Sequence, residues 1–290
     1  MSLLAEKTNT DTVSVASLQP AGVRPFVKWA GGKTQLLDEL VARVPAEFDR
    51  YIEPMVGGGA LYFRLLPEHA VLGDLNGELL LCYRVVKERV ESLITALGAH
   101  KHCKKHYYRV RNVDRDASFW SWTEVERAAR FIYLNRTCFN GLYRVNSRGE
   151  FNVPFGEYKR PRIVQEEVLR ACSEALQGAV LVEGSFEATV SQATAKDFIY
   201  FDPPYLPSSK TAQFTSYVKG GFHDADQLKL RTVCSELDER GVRWMVSNSY
   251  NETMLRLWDN FNISVVDAAR AINSKGEKRG NVKEIIVTNY

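Results

Sequence analysis

No apolar stretch in this 290-residue chain approaches the roughly 20 residues that a helix needs to cross a bilayer. A helical membrane protein is therefore not expected. Cysteine is scarce and scattered: Cys82, Cys103, Cys138, Cys172 and Cys234 are odd in number and form no C-x-x-C pair. Neither a disulfide framework nor a zinc cage is suggested, no metal is expected, and a reducing cytoplasm is the expected compartment. Internal repeats and low-complexity tracts are missing too. The stretch from Met1 to Gly22 has no positively charged start leading into an apolar core, so residues 1–24 read as a disordered tail and not as a targeting signal. The whole chain is 45% hydrophobic and 25% charged, enough to build a sizeable core.

Charge is close to balanced in total, at +3, but not in its distribution. From Lys101 to Arg162 there are 14 Lys and Arg against 6 Asp and Glu, so the remainder is net acidic. Tyr107, Tyr108, Phe119, Trp120, Trp122, Phe139 and Tyr143 interleave with that basic segment. A basic, aromatic stretch between acidic flanks is the footprint of a nucleic-acid surface, although a solvated charged face gives the same count.

Short apolar runs at Arg50–Ile52, Ala70–Leu72, Phe198–Phe201 and Val242–Val246 read as strands with helical patterns between them, which argues an α/β fold with a mainly parallel sheet. Asp224 with Gln227 is expected to open a helix that Gly241 closes, and Ile263–Val266 with Ile285–Thr288 to form an antiparallel edge around a polar loop at 273–281. Residues 87–179 break the pattern. They carry a helical stripe of Val125, Ala128, Ala129 and Ile132, then Asn146-Ser147-Arg148-Gly149, a good hairpin turn. The expected layout is a catalytic unit from residues 25–86 and 180–290, interrupted at 87–179 by a mostly helical insertion with a β-hairpin.

Asp202-Pro203-Pro204-Tyr205 follows directly on the apolar strand Phe198–Phe201. The prolines stiffen the turn, so a carboxylate, a peptide carbonyl and an aromatic face are held ready for a planar amine; an ordinary turn is the plain alternative. Glu53-Pro54-Met55-Val56-Gly57-Gly58-Gly59 lets backbone approach a ligand at a helix N-terminus, but Tyr62 stands where a dinucleotide fingerprint needs a small residue. Asp74, at the end of the next strand, can accept both hydroxyls of a ribose or cap a helix. Gly31-Gly32-Lys33-Thr34 lacks the first glycine of a phosphate loop, since Val27 occupies it, so an NTPase is disfavoured. His102 and His106 have metal-ligand spacing, but with three lysines nearby and no carboxylate a solvated basic face is the better reading.

Together, Phe26-Val27-Lys28-Trp29-Ala30-Gly31-Gly32-Lys33, Glu53 to Gly59, Gly73-Asp74-Leu75-Asn76, Tyr133 to Arg144, Arg148 to Gly156, Asp202 to Tyr205 and Phe214-Thr215-Ser216-Tyr217 resemble the Dam-type family of DNA adenine N6-methyltransferases, the D12 class in its α-group motif order. The resemblance spans residues 25 to 290. It implies a Rossmann-like methyltransferase sheet, S-adenosyl-L-methionine as donor with S-adenosyl-L-homocysteine as product, and double-stranded DNA as partner with GATC as the site. It further implies a cytoplasmic, nucleoid-associated protein if bacterial; assembly state is left open, a monomer included. By the resemblance, Trp29, Lys33, Glu53, Gly57, Gly59, Asp74 and Asp202 hold the cofactor, and Asp202, Pro203, Pro204 and Tyr205 form the catalytic turn. Lys28 contacts a base, Phe139 inserts beside the target, Asn140 contacts DNA, and Leu142, Arg144 and Pro154 read the outer base pairs. Glu157 departs from the family's frequent Arg and weakens a phosphate contact. Carboxylates are far too weak as bases to deprotonate an aromatic amine outright, so Asp202 is expected to accept hydrogen bonds from N6 and redirect its lone pair. Competing readings are an enzyme of another DNA sequence or of RNA, the glutamine-modifying relatives that carry Asn-Pro-Pro-Tyr, and a DNA-binding protein that has lost catalysis. Restriction-system, phage and solitary origins are not distinguished.

Overall fold

A computed structural model describes residues 22–205, 222–269 and 281–290. Residues 1–21 of the expected tail 1–24, the segment Phe214–Tyr217 and most of the loop at 273–281 lie outside the described residues, while Val23 packs on the core and the Arg24 carbonyl accepts from the Cys172 thiol. Seven strands form one sheet: β1 (Tyr51–Glu53), β2 (Ala70–Asp74), β3 (Ala179–Glu183), β4 (Phe198–Phe201), β5 (Arg243–Ser249), β6 (Asn262–Ala269) and β7 (Asn281–Thr288). Their order is β3-β2-β1-β4-β5-β7-β6. Pairs from β3 through β5 are parallel, whereas β7 runs antiparallel to both β5 and β6, giving the expected antiparallel edge.

Strand β4 shows why the sheet is buried on both sides. All four of its residues are buried; Phe198 and Tyr200 join one apolar cluster, Ile199 and Phe201 the other, as the two-residue period of a strand dictates. Each such side chain withdrawn from water contributes about 1.5 to 3 kcal/mol. The second face is covered by α8 (Phe186–Val190), α9 (Asp224–Glu239) and α10 (Glu252–Leu257), through residues such as Phe186, Leu230, Leu237 and Met254. His223, not Asp224, caps α9, in a reciprocal pairing with Asp226; Gly241 closes it, its N–H donating to the Asp238 carbonyl at 2.8 Å.

The other face carries α1 (Leu37–Val41), α2 (Tyr62–Leu65) and α3 (Gly77–Glu88), followed by α4 (Val90–Gly98), α5 (Lys104–Asn112), α6 (Glu124–Thr137) and α7 (Glu166–Ala175). Asn76 caps α3 by accepting from the Leu79 N–H at 3.1 Å, and Thr123 with Glu126 forms a capping box on α6. Helices α4 to α7 share one continuous apolar core with the sheet, because α6 and α7 both pack on α3. Strand β3, which begins at Ala179, was not anticipated from the sequence. No helix among the described residues is long and apolar enough to cross a membrane.

Candidate active site and nucleic-acid interface

Sheet topology fixes where chemistry can happen. Chain order runs outward from β1 through β2 to β3, then returns to β4 on the other side, so β1 and β4 flank a switch point. Ligands of open α/β sheets bind beyond the carboxyl ends of the strands at such a point. Glu53 ends β1, Asp74 ends β2, and Asp202 follows β4. Three carboxylates called from the sequence thus share one edge.

Asp202 is held by its Oδ1, which pairs with the Lys33 ammonium at 2.6 Å and accepts from the Ser247 hydroxyl at 2.9 Å. Ser247 is itself tied to the buried Tyr200 hydroxyl at 2.9 Å. Among the described residues Oδ2 has no partner, so one face of the carboxylate is committed and the other is available. The Lys33 ammonium also lies 4.5 Å from the Tyr205 ring centroid and donates to the Gly31 carbonyl at 2.8 Å. Tyr205 donates to Glu284 Oε2 at 2.5 Å, and burial, reinforced by Asp202 and Glu284, holds its hydroxyl well above the usual range. The phenol stays neutral. Gln227, buried on α9, donates to the Pro204 carbonyl at 3.5 Å and accepts from Asn248 at 3.0 Å, bracing the proline turn from behind.

At the glycine loop, backbone comes close to the Trp29 ring. Gly57 has φ +47°, and a Cβ there would fall 2.6 Å from the Trp29 ring. Its N–H donates to Asp74 Oδ2 at 3.0 Å, while Asn76 N–H donates to Oδ1 at 2.9 Å. Burial raises Asp74 above its ordinary value, opposed by these backbone donors. A carboxylate offers about four acceptor positions, so acceptor capacity remains beyond the Gly57, Asn76 and Leu75 backbone donors. Gly59 turns inward, where a Cβ would meet the Tyr83 hydroxyl at 2.7 Å. A side chain at this position is therefore excluded.

Glu53 is 2% exposed and accepts from the Tyr51 hydroxyl at 2.8 Å. Burial pushes its carboxyl up to about 8, against the Tyr51 hydrogen bond. The unfolded chain releases this proton near 4.5 and the folded one near 8, so stability from this group is full below the lower value and lost as pH rises toward the upper. Glu53→Gln should flatten that loss: urea-unfolding free energies between about pH 5 and about pH 8 should fall less steeply than for the parent, and equal slopes would contradict the assignment.

The predicted reading surface is assembled after α6. The turn closes as expected, with Gly149 N–H donating to the Asn146 carbonyl at 2.9 Å and Asn146 N–H to the Glu150 carbonyl at 2.9 Å. Pairing is limited to a bridge between Val145 and Phe151, so the hairpin is held less by a ladder than by Asp114, whose Oδ2 accepts from Phe151 N–H at 2.7 Å. Arg144 Nε donates to Asn152 Oδ1 at 2.7 Å. Phe139 is 51% exposed beside Asn140, which takes the left-handed φ of 54°, and Pro154 is exposed while Leu142 is half-buried. Lys28 places its ammonium 4.3 Å from the Tyr158 ring centroid. Glu157 is exposed. The histidines are packed rather than free: His100 stacks on Tyr133 at 4.3 Å and contacts His106 at 3.0 Å, and His102 Nε2 is 2.8 Å from the Tyr158 carbonyl.

A family model described as D12 class N6 adenine-specific DNA methyltransferase matches residues 29–272. The chain belongs to that family. It is 46% identical over 272 residues to a type II methyltransferase, M1.LlaDCHI, of Lactococcus lactis subsp. cremoris, which covers 92% of this chain and 96% of the relative. It is 44% identical over 288 residues to the type II methyltransferase M.MjaIII of Methanocaldococcus jannaschii, covering 92% and 99%. Against the DNA adenine methylase of Escherichia coli K12 the figure is 35% over 269 residues, covering 91% and 94%. This methyltransferase is thus a DNA adenine enzyme, and the RNA, glutamine-amide and non-catalytic readings fall away.

Several residues of this D12-class enzyme escaped the sequence reading. Ser247, Asn248 and Ser249 carry polar groups at the carboxyl end of β5, a pattern visible as Ser-Asn-Ser after an apolar run. Asn135 lies fully buried in an otherwise apolar helix stripe. Such a polar residue asks what it bonds. Glu284 gave no comparable signal, because its partner Tyr205 is 79 positions away.

Proposed function

We propose that this methyltransferase transfers a methyl group from S-adenosyl-L-methionine to N6 of an adenine flipped out of duplex DNA, within GATC. One observation carries the reading: Asp202 Oδ1 and the Tyr205 ring converge on a single nitrogen, the Lys33 ammonium, at 2.6 Å and 4.5 Å. A donor nitrogen between an acceptor and an aromatic face is what an adenine amine stacked on Tyr205 requires. Lys33 stays paired with Oδ1, and the amine takes the Oδ2 acceptor beside it. N6 lies inside the helical stack in intact duplex, so the base must leave it to reach this edge.

The cofactor fit rests on the donor set. Asp74 keeps acceptor capacity for a ribose hydroxyl beyond its backbone donors, and Trp29 lies so close over Gly57 that a Cβ there would strike its ring, which leaves an aromatic wall beside bare backbone. When bound, S-adenosyl-L-methionine supplies the electrophilic methyl at its sulfonium. Asp202 Oδ2 and the Pro203 carbonyl take the two N6 hydrogens, which draws the lone pair out of ring conjugation. N6 gains its bond to the methyl carbon as the carbon–sulfur bond breaks, and only the methylated, cationic N6 is acidic enough to give up a proton, which Asp202 then accepts. Pro204 keeps the turn rigid, and Tyr205 fixes the base plane. No step requires a metal.

On the DNA side, Arg144 is oriented by Asn152 and can contact guanine O6 and N7, while Leu142 and Pro154 can meet a thymine methyl. Phe139 and Asn140 stand at the gap that the flipped base leaves. Arg144→Ala is expected to relax discrimination at one outer base pair by about 1 to 3 kcal/mol, measured as kcat/KM on single-base variants of GATC. Unchanged ratios would remove Arg144 from the readout. The sequence itself is tested by methylating a plasmid and cutting it with nucleases that are blocked, or not, by methylated GATC. Unimpeded cutting by the blocked kind means that the site is not GATC.

A further inference from the structure

We propose that Asn135 is a positioning residue that makes recognition of the duplex by the hairpin and binding of the cofactor at Trp29 cooperative; the proposal rests on the function given above. Asn135 is 0% exposed in α6, and its amide grips both sides of one peptide segment. Lys28 N–H donates to Asn135 Oδ1 at 2.8 Å, and Asn135 Nδ2 donates to the Lys28 carbonyl at 2.7 Å and to the Gly141 carbonyl at 3.2 Å. One side chain therefore joins the segment carrying Lys28 and Trp29 to the segment carrying Phe139, Leu142 and Arg144.

Packing repeats the link. Gly141 has φ +63°, and a Cβ there would run into the Lys28 side chain. Two residues on, Tyr143 stacks on Trp29 at 5.7 Å with the planes 20° apart, and on Phe131 of α6 at 4.7 Å. Movement of the hairpin to fit a base pair is thereby transmitted to the aromatic wall of the cofactor site. Asn135 touches neither DNA nor cofactor. It acts by making one arrangement of Lys28, Trp29 and Gly141 favourable as a set, which is the requirement for two sites to share a coupling free energy.

The test is calorimetric affinity of the full chain for S-adenosyl-L-homocysteine alone, with a GATC duplex, and with a duplex changed at one outer base pair. In the parent, the GATC duplex should tighten the cofactor by about tenfold and the altered duplex by less. Asn135→Asp keeps the acceptor for Lys28 N–H but sets a carboxylate against two carbonyls. It should bring the enhancement close to onefold while affinity without DNA changes little. Tyr143→Leu, which leaves Asn135 in place but removes the stack, should lose part of the enhancement and serves if Asn135→Asp does not fold. A merely structural role would lower stability without touching the ratio. Absence of any enhancement in the parent, or its persistence in the variants, overturns the proposal. A parent that binds neither cofactor nor duplex overturns the function beneath it as well, and the two failures are distinct.

Discussion

Asp202→Ala is expected to lower methyl transfer about a thousandfold or more while leaving the duplex bound, because loss of one preorganised polar group at a reacting centre costs about a hundred- to a thousandfold and Asp202 also fixes Lys33. The carboxylate does two jobs at one edge of the sheet. Oδ1 anchors it through Ser247 and Lys33, so that Oδ2 meets N6 in one orientation. Removing it takes away the acceptor and frees an ammonium beside the Tyr205 ring, where it competes with the base. Single-turnover transfer to a GATC duplex, with duplex affinity measured alongside, separates this from loss of binding. Near-normal turnover would take Asp202 out of the reaction.

Asp114→Ala should be the most damaging change outside the active site. Asp114 and Arg130 form an ion pair at 2.7 Å with both side chains 8% exposed, and the same Oδ2 holds the Phe151 N–H of the hairpin. Breaking a buried pair from one side leaves an uncompensated charge, at a cost of about 3 to 5 kcal/mol. Arg130 keeps the Val110 and Arg111 carbonyls, which places the expectation toward the lower end of that range. Urea unfolding measures it. Since the hairpin loses its anchor, discrimination among single-base variants of GATC should decline in the folded fraction too. A loss under about 1 kcal/mol would mean that the anchor lies elsewhere.

Much of the fold was legible, because its strongest strands are short apolar runs bounded by turns. Phe198–Phe201 is buried on both faces, so its run of four announces it, and the antiparallel edge at β6 and β7 follows from two apolar runs at the chain's end. Strand β3 was hidden for the opposite reason. It is an edge strand, with Val180 59% exposed, directly behind a helix and a short turn, and nothing in Ala-Val-Leu-Val-Glu separates it from a helix end.

The site was legible where chemistry is local. Asp202 to Tyr205, Gly57 and Asp74 each lie in a segment whose own turn explains the residue type. Contacts between distant segments were not. The Asn135 grip on Lys28 spans 107 positions, and nothing at either end names the other. The Asp74 alternative as a helix cap is settled by a neighbour: Asn76 does the capping, which leaves the Asp74 carboxylate facing the glycine loop. Likewise the histidines, which looked solvated, are drawn in by Tyr133 and the Tyr158 carbonyl from other segments.

The most direct test follows an isotopically labelled methyl group from S-adenosyl-L-methionine to a duplex holding a single GATC, with the product digested to nucleosides. The account predicts label in N6-methylated adenine of that site, none in a duplex whose GATC adenines are replaced, and label accumulating about a thousandfold more slowly with Asp202→Ala. Label in another nucleoside, or transfer that ignores the loss of that adenine, would contradict it.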